Sequence, residues 1–288
     1  MLRITAGPGT EDYSSIQEAL DAVPYNTPAE ILVSPGVYRE RLFSDKHDLV
    51  LRGLGDVTVT FSQGGYDPGL RHKRGTFRSA TAFFSGERLV LENLRIVNEA
   101  DPSRGQALAL YLDVDTAELS SITLESFQDT LFLAPLPDEE REKGGFYGPR
   151  HLLPRKRNRT VISDSSIAGT VDFIFGGGDA LFERCQIISR GSGYVTAPSG
   201  KRDWLGFVFH GCRFAGTGHS YLMRPWRPEG KASFLSCSFG SHLDPALFIS
   251  WPGHEAEAGQ SGFFLHDSGT PDNMSGEDAL LLLSAFRH

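Results

Sequence analysis

Residues 160–187 read TVISDSSIAGTVDFIFGGGDALFERCQI. Two phrases inside that stretch, TVISDSSI and ALFERCQI, share one pattern: apolar residues lead into a residue that opens a small-x-apolar step. The same pattern recurs in LVLENLRI, AELSSITL, FVFHGCRF and ASFLSCSF. Aligned on the third-last residue, the six phrases place Leu94, Ile122, Ser165, Cys185, Cys212 and Cys237 at one equivalent position, with intervals of 28, 43, 20, 27 and 25 residues. Strands recurring at such a period are the signature of a solenoid. One coil cannot bury its apolar edge alone, whereas coils stacked as parallel strands roughly 4.8 Å apart bury it continuously. The 43-residue interval then marks a coil that carries an insertion, and solenoid insertions often serve a binding face.

The rest of the chain agrees with an all-β solenoid of one domain over 1–288. No low-complexity tract or linker divides it, and 32 glycines with 20 phenylalanines suit many short strands joined by turns. Helical signal is confined to the ends. Ser14-Ser15-Ile16-Gln17-Glu18-Ala19-Leu20 offers a capping box and good helix formers, suited to cover the open first coil; a second short helix is expected over 276–286. The three cysteines share the anchor position, so they are expected to form an internal ladder of small side chains. Three thiols in a line do not make a tetrahedral zinc site, and the nine histidines show no metal-ligand spacing. No metal and no cofactor is expected.

A net charge of −8 without an extended basic face argues against nucleic acid as a partner. The densest basic stretch, Arg150 to Arg159, reads as a solvated loop, with contact to an acidic polymer as the alternative. The longest apolar run, Ala279 to Leu283, is far too short for a bilayer, so no membrane association is expected. The start, MLRITAGPGTEDY, lacks the apolar core of a secretory signal. The expected compartment for the chain as written is the cytoplasm, or the exterior if a leader precedes it, and the expected state is a monomer.

Two aspartates stand out by their surroundings. Asp172 lies in Gly169-Thr170-Val171-Asp172-Phe173-Ile174-Phe175-Gly176, and Asp129 in Phe127-Gln128-Asp129-Thr130-Leu131-Phe132. Each follows its anchor, Ser165 or Ile122, by seven residues, which stacks the two carboxylates on neighbouring coils. Asp101 and Asp244 share that offset, but each precedes a proline in turn-like sequence. Adjacent carboxylates cannot both ionise cheaply, so one should keep its proton while the other stays charged. Spacing alone leaves open a plainer reading, two buried aspartates that merely hydrogen-bond their turns.

Four segments in order, Gln106-Ala107-Leu108-Ala109-Leu110, Gln128-Asp129-Thr130-Leu131, Gly169 to Gly176 and Tyr221-Leu222-Met223-Arg224-Pro225-Trp226, resemble the signature segments of the pectin methylesterase family. Asp12-Tyr13-Ser14-Ser15-Ile16-Gln17-Glu18-Ala19 and Pro35-Gly36-Val37-Tyr38-Arg39-Glu40 resemble the family's start, and the likeness fades beyond Phe264. It implies a right-handed parallel β-helix and hydrolysis of methyl esters on pectin or methylated oligogalacturonides. By the same resemblance Asp172 is the nucleophile, Asp129 the general acid and base, Gln106 and Gln128 the oxyanion donors, and Arg224 the cation that orients Asp172. Trp226 is then an aromatic wall for a sugar ring. Phe132, Phe175 and Tyr147 are candidate groove aromatics, with core packing an equal alternative, while Phe127 and Phe173 are assigned to the core. Met223 stands where the family has glycine and Gly105 where many relatives have histidine, so Met223 is expected to shape the groove. The stretch from Leu131 to Ser163 resembles the extended loop of some bacterial members. Two other readings remain: a β-helix glycoside hydrolase, which also uses paired carboxylates, and a saccharide-binding relative without turnover.

Overall fold

The structure, a computed structural model, describes residues 1–9, 11–68, 75–141 and 143–286. Strand pairing among them is parallel throughout, and all strands belong to one continuous, curled sheet that winds into a parallel β-helix. Each full rung crosses three faces. The first face runs from Leu2–Ala6 through Ala29–Val33, Asp48–Gly53, 88–92, 116–120, Arg159–Ser163, Asp179–Glu183 and Phe207–His210 to Lys231–Leu235 and Gly262–His266. The second passes through 95–98, 122–125 and 166–169, and the third through 110–112, Leu131–Leu133, 174–176 and Ser220–Met223.

Alternation along each strand decides which side chains fill the interior. On the first face Leu51, Leu91, Leu119, Ile162, Phe182, Phe209 and Phe234 pair in register down the stack. The phenylalanine rings lie almost parallel, 4.4 Å apart for Phe182 and Phe209 and 5.1 Å for Phe209 and Phe234. Those spacings match the distance between parallel strands, so each ring covers the next.

The anchor column is the corner between first and second faces. Leu94 pairs with Ile122, and the residues that follow the later anchors, Thr123, Ser166, Gln186, Arg213 and Ser238, pair in register down the stack, as the intervals require. The residue before each anchor turns the chain with a left-handed backbone: Asn93, Ser121, Asp164, Arg184, Gly211 and Ser236 have φ between 50° and 62°. The anchor then points inward. Cys185, Cys212 and Cys237 are buried free thiols whose Sγ atoms donate to the Ile162, Phe182 and Phe209 carbonyls at 3.3–3.4 Å. Ser165 and Ser268 do the same work with hydroxyls. The ladder is therefore a run of small side chains that satisfy corner backbone groups.

Helix α1 (Ile16–Ala22) closes the first coil. Ser15 caps it by accepting from the Glu18 N–H, and Ile16, Ala19 and Leu20 are fully buried. Glu40 accepts from the free N–H groups of Ile16 and Gln17, at 2.9 and 3.0 Å. Helix α2 (Gly276–Ser284) forms where the second short helix is expected and lies along the flank of the stack. Its Ala279 and Leu283, with Phe286, pack on Leu181, Val208 and Leu235, so it crosses the outer flank of three successive rungs. Those outward apolar residues would otherwise face water. Phe127 departs from expectation: it is half-buried and belongs to none of the core clusters, because it sits in the corner before Asp129, whereas Phe173 is fully buried in the core.

The insertion leaves the third face after Leu133 and returns at Arg159. Its basic stretch is exposed in part, Lys156 and Arg157 included, as a solvated loop should be, but it is tied to the stack by ion pairs and hydrogen bonds. Arg150 bonds the Gly86 and Asp113 carbonyls and pairs with Asp115; Lys156 shares Asp115, and Arg157 pairs with Asp179. These contacts pin the insertion to the outside of the stack. No helix among the described residues is long and apolar enough to cross a membrane.

Candidate active site

Asp129 and Asp172 occupy the corner where the chain turns from the second face to the third, on adjacent rungs. Gln128 bridges Val171, and the Asp129 N–H donates to the Val171 carbonyl at 3.1 Å. Both aspartates are left-handed, with φ of 62° and 48°, a geometry that costs an L residue about 1–2 kcal/mol and that aspartate tolerates better than most. The corner is stitched by hydroxyls: Thr130 Oγ1 donates to the Ala168 carbonyl and Thr170 Oγ1 to the Phe127 carbonyl, each at 3.0 Å. Gly169 has no room for a side chain, since a Cβ there would lie 2.3 Å from the Phe173 Cβ and 2.7 Å from Thr130 Oγ1. Asp101 and Asp244, at the same sequence offset, cap turns through Ser103 and Ala246.

Arg224 follows Ser220–Met223 and is anchored by its own N–H on the Thr196 carbonyl. Its fork meets Asp172 twice, Nε to Oδ1 at 3.3 Å and Nη2 to Oδ2 at 2.5 Å. The guanidinium is held between two aromatic faces, each ring centre 3.6 Å away: Tyr194 on one side, Trp251 on the other. Trp251 is itself fixed by its indole N–H on the Pro225 carbonyl. A planar, weakly hydrated cation suits such a slot, and a lysine would fill neither the fork nor the stack.

Burial separates the two carboxyls. Asp129 is 8 % exposed and Asp172 9 %. Burial first, then the charge of Asp172, pushes the Asp129 carboxyl well above the ordinary range, against a hydrogen bond with Gln128 and the more distant Arg224. Asp172 is also raised by burial, but the charge and hydrogen bonds of Arg224, with a smaller contribution from Arg141, pull it back. Asp172 therefore ionises first and Asp129 keeps its proton longer.

A groove of about 200 Å³ opens over the pair. Gln106, Gln128, Asp129, Asp172, Phe175 and Trp226 line it, as the sequence suggests. The Gln106 Oε1 is buried without a hydrogen-bond partner among the described residues. Three other expectations are corrected. Phe132 does point outward from its strand, in a column with Phe83, Tyr111, Phe175 and Ala197. Phe77 roofs it at a ring distance of 5.0 Å and leaves it 0 % exposed, so it is floor beneath the groove. Tyr147 packs on Phe83 and under Arg78 outside the groove, and its neighbour Phe146 lines the wall instead. Met223 is 0 % exposed and turned into the core, in register with fully buried Thr196, so it does not border the groove.

Sequence reasoning missed Phe77, Trp251, Tyr194, Phe146 and Arg141. Phe77 and Trp251 lie on loops outside the repeat, and nothing in their local sequence marks them. Tyr194 stood in a repeat strand, where an aromatic reads as packing.

The profile of the pectinesterase family matches residues 3–136 and 147–265. The chain is 30 % identical over 247 residues to pectinesterase 31 of Arabidopsis thaliana, covering 80 % of this chain and 71 % of that protein. The chain belongs to the pectinesterase family. It spans under half the length of some relatives, 43 % of probable pectinesterase/pectinesterase inhibitor 23 of Arabidopsis thaliana, at 28 % identity over 87 % of this chain. Among solved structures it is similar to the pectin methylesterase from carrot, with a TM-score of 0.78 and 24 % identity over 96 % of this chain and 84 % of that one. It is also similar to a pectin methylesterase in complex with a hexasaccharide, with a TM-score of 0.76 and 24 % identity over 97 % and 95 % of the two chains. The fold is their right-handed parallel β-helix. Residues 137–146, which carry Arg141 and Phe146 to the groove, fall between the two stretches of the pectinesterase profile.

Proposed function

We propose that the chain hydrolyses methyl esters of galacturonate units in pectin or methylated oligogalacturonides, releasing methanol and a free carboxylate. The observation that carries this reading is the asymmetric pair: Asp172 forked to Arg224, and Asp129 one rung away under a stronger upward push. In the first step the Asp172 carboxylate attacks the ester carbonyl carbon. Charge gathers on the carbonyl oxygen, where side-chain amides of Gln106 and Gln128 are available at the groove wall. The tetrahedral adduct collapses, the C–O bond to the methoxy group breaks, and Asp129 gives that oxygen its proton. Methanol leaves, and Asp172 is joined to the sugar acyl group as a mixed anhydride.

In the second step Asp129, now a carboxylate, takes a proton from water, whose oxygen attacks the acyl carbon. Asp172 departs as the carboxylate, stabilised by Arg224, and Asp129 has its proton back. Trp226 and Phe175, with ring centres 5.7 Å apart, offer the apolar surface that a sugar ring stacks on. Membership of the pectinesterase family and the likeness to a hexasaccharide complex support a pectin-type substrate. A glycosidase would stabilise a cation-like sugar, for which two amides beside the acid pair are a poor match.

Methanol release from methylated pectin and from short methylated oligogalacturonides is the direct test, with Asp172→Asn as the nearly isosteric control. The wild type should release methanol from at least one substrate, and the variant should lose essentially all turnover while staying folded. New reducing ends without methanol would instead identify a glycosidase.

A further inference from the structure

The third face carries an aromatic platform that the chain itself covers. Phe83, Tyr111, Phe132, Phe175 and Ala197 point outward from five successive rungs, in register. At roughly 4.8 Å per rung the column is about 19 Å long, and rings in such a row suit the apolar faces of sugars. All five residues are nonetheless at most 4 % exposed. Phe77 lies over the middle of the column, with ring centres 5.9, 5.0 and 6.1 Å from Tyr111, Phe132 and Phe175. The insertion adds to this cover. Phe146 packs on Phe77 at 6.0 Å, and the Tyr111 hydroxyl donates to the Tyr147 carbonyl at 2.9 Å. At Gly148 the backbone rests on Phe83, since a Cβ there would lie 2.9 Å from that ring.

The covering stretch is fastened on both sides of the groove. Arg78 donates to the Gly145 and Phe146 carbonyls at 3.3 and 3.4 Å. Glu140 braces the stretch from within by accepting from the Gly144 and Phe146 N–H groups. On the far side Arg141 donates to the Trp226 carbonyl at 3.0 Å and lies over the Trp251 ring at 5.4 Å. Arg227 reaches back to the Glu139 carbonyl at 2.9 Å. The result is a strap tied to Arg78, ahead of the strand at 82, and to Trp226 and Trp251, beyond Met223. Thr76, Phe77, Arg141, Gly145 and Phe146 also wall the groove. What stays open over the acid pair is about 200 Å³. That is below the roughly 300–1,000 Å³ of pockets that take drug-sized ligands, so it fits about one sugar unit.

We infer that the strap stops a sugar chain from running along the third face, so that the enzyme acts on esters at or next to a chain end and on short oligogalacturonides. The inference rests on the esterase reading above and adds where along a chain the reaction occurs. Residues 137–146 of the strap fall between the two stretches of the family profile.

The test follows methanol release from fully methylated oligogalacturonides of graded length, trimer to nonamer, and from methylated pectin. Ends become scarcer per ester as chains lengthen, so kcat/KM per ester should fall about threefold from trimer to nonamer and further on pectin. Mass spectrometry of the early nonamer product should place the first free carboxylate at or next to an end. Random loss of interior esters, or a rate per ester that holds or rises with length, overturns the inference without any variant. Arg78→Ala and Phe146→Ala loosen the strap and should raise the nonamer-to-trimer ratio about tenfold, the gain from one more stacked sugar. An unchanged ratio in both folded variants also overturns it.

Binding separates this inference from the esterase reading. By calorimetry, trigalacturonate and hexagalacturonate should bind the wild type within about twofold of each other, whereas an open groove gains about tenfold for each further stacked ring. A hexamer held about tenfold more tightly sinks the strap's role, whether or not methanol is released. Length-independent binding without methanol release supports the strap and removes only the esterase reading.

Discussion

Asp172 and Asp129 are the same residue type in the same corner, and the difference between them is a neighbour. Arg224 hydrogen-bonds only Asp172 and acts on Asp129 from farther away, so burial raises both carboxyls while the cation holds Asp172 back more. Turnover should therefore rise with pH as Asp172 loses its proton and fall as Asp129 loses its own. Arg224→Lys keeps a charge but loses the fork and the stack between Tyr194 and Trp251. Its rate should drop about 10²-fold, and the acidic limb of the pH–kcat/KM profile should move to higher pH. A limb that stays in place would show that Arg224 does not tune Asp172. Asp129 also carries a stability cost. Its folded pKa is raised above the 3.8 of a free aspartate, so its contribution is intact below that pH. The contribution is lost progressively as pH rises toward the folded value. Asp129→Asn removes the titration, so the inactive variant should melt higher than wild type at neutral pH, by about 2–4 °C for each kcal/mol recovered. The gap should close near pH 4, and melting curves at the two pH values check it.

Elements act on the site through its corner. The strand Ser166–Gly176 shifts register twice against its neighbour, and Gly169 lies where the Phe173 side chain leaves no room for a Cβ. Gly169→Ala must push Phe173 or Thr130 aside, at a cost of about 1–3 kcal/mol. Phe173 is next to Asp172, so the shift should lower kcat more than KM, and a variant with normal kcat would show that the corner absorbs a methyl group. The insertion illustrates a different economy. Its basic residues read in sequence as a solvated face or a polymer contact, yet they fasten the loop to Asp113, Asp115 and Asp179. That fastening fixes the base of a loop whose other end brings Arg141 and Phe146 over the acid pair.

At the scale of the molecule, stability is summed along a stack in which each rung touches only its neighbours. Phe209 is sandwiched between Phe182 and Phe234 and fully buried. Phe209→Ala should cost about 3–5 kcal/mol, lowering Tm by about 10 °C or more. Hydrogen exchange should show the loss centred on rungs 179–239 and weak at α1; uniform loss would mean that the stack unfolds as a single unit. The chain is acidic overall, at −8, and a polygalacturonate substrate is acidic too. Local cations at the groove therefore decide the sign of the field a substrate meets.

The repeat, the anchor column and the two aspartates were legible in the sequence because a solenoid writes its register in one dimension. Equal offsets from a recurring anchor become neighbours on adjacent rungs, whatever the loops do between them. The fold and the facing carboxylates follow from that periodicity. What only tertiary structure decided lies mostly off the repeat, in Phe77 covering Phe132, Trp251 closing on Arg224 and Arg141 brought in from the insertion, while within repeat strands it decided the inward turn of Met223 and the stacking of Tyr194 on Arg224. Loop residues meet the groove through contacts distant in sequence and without a period, so no spacing could announce them.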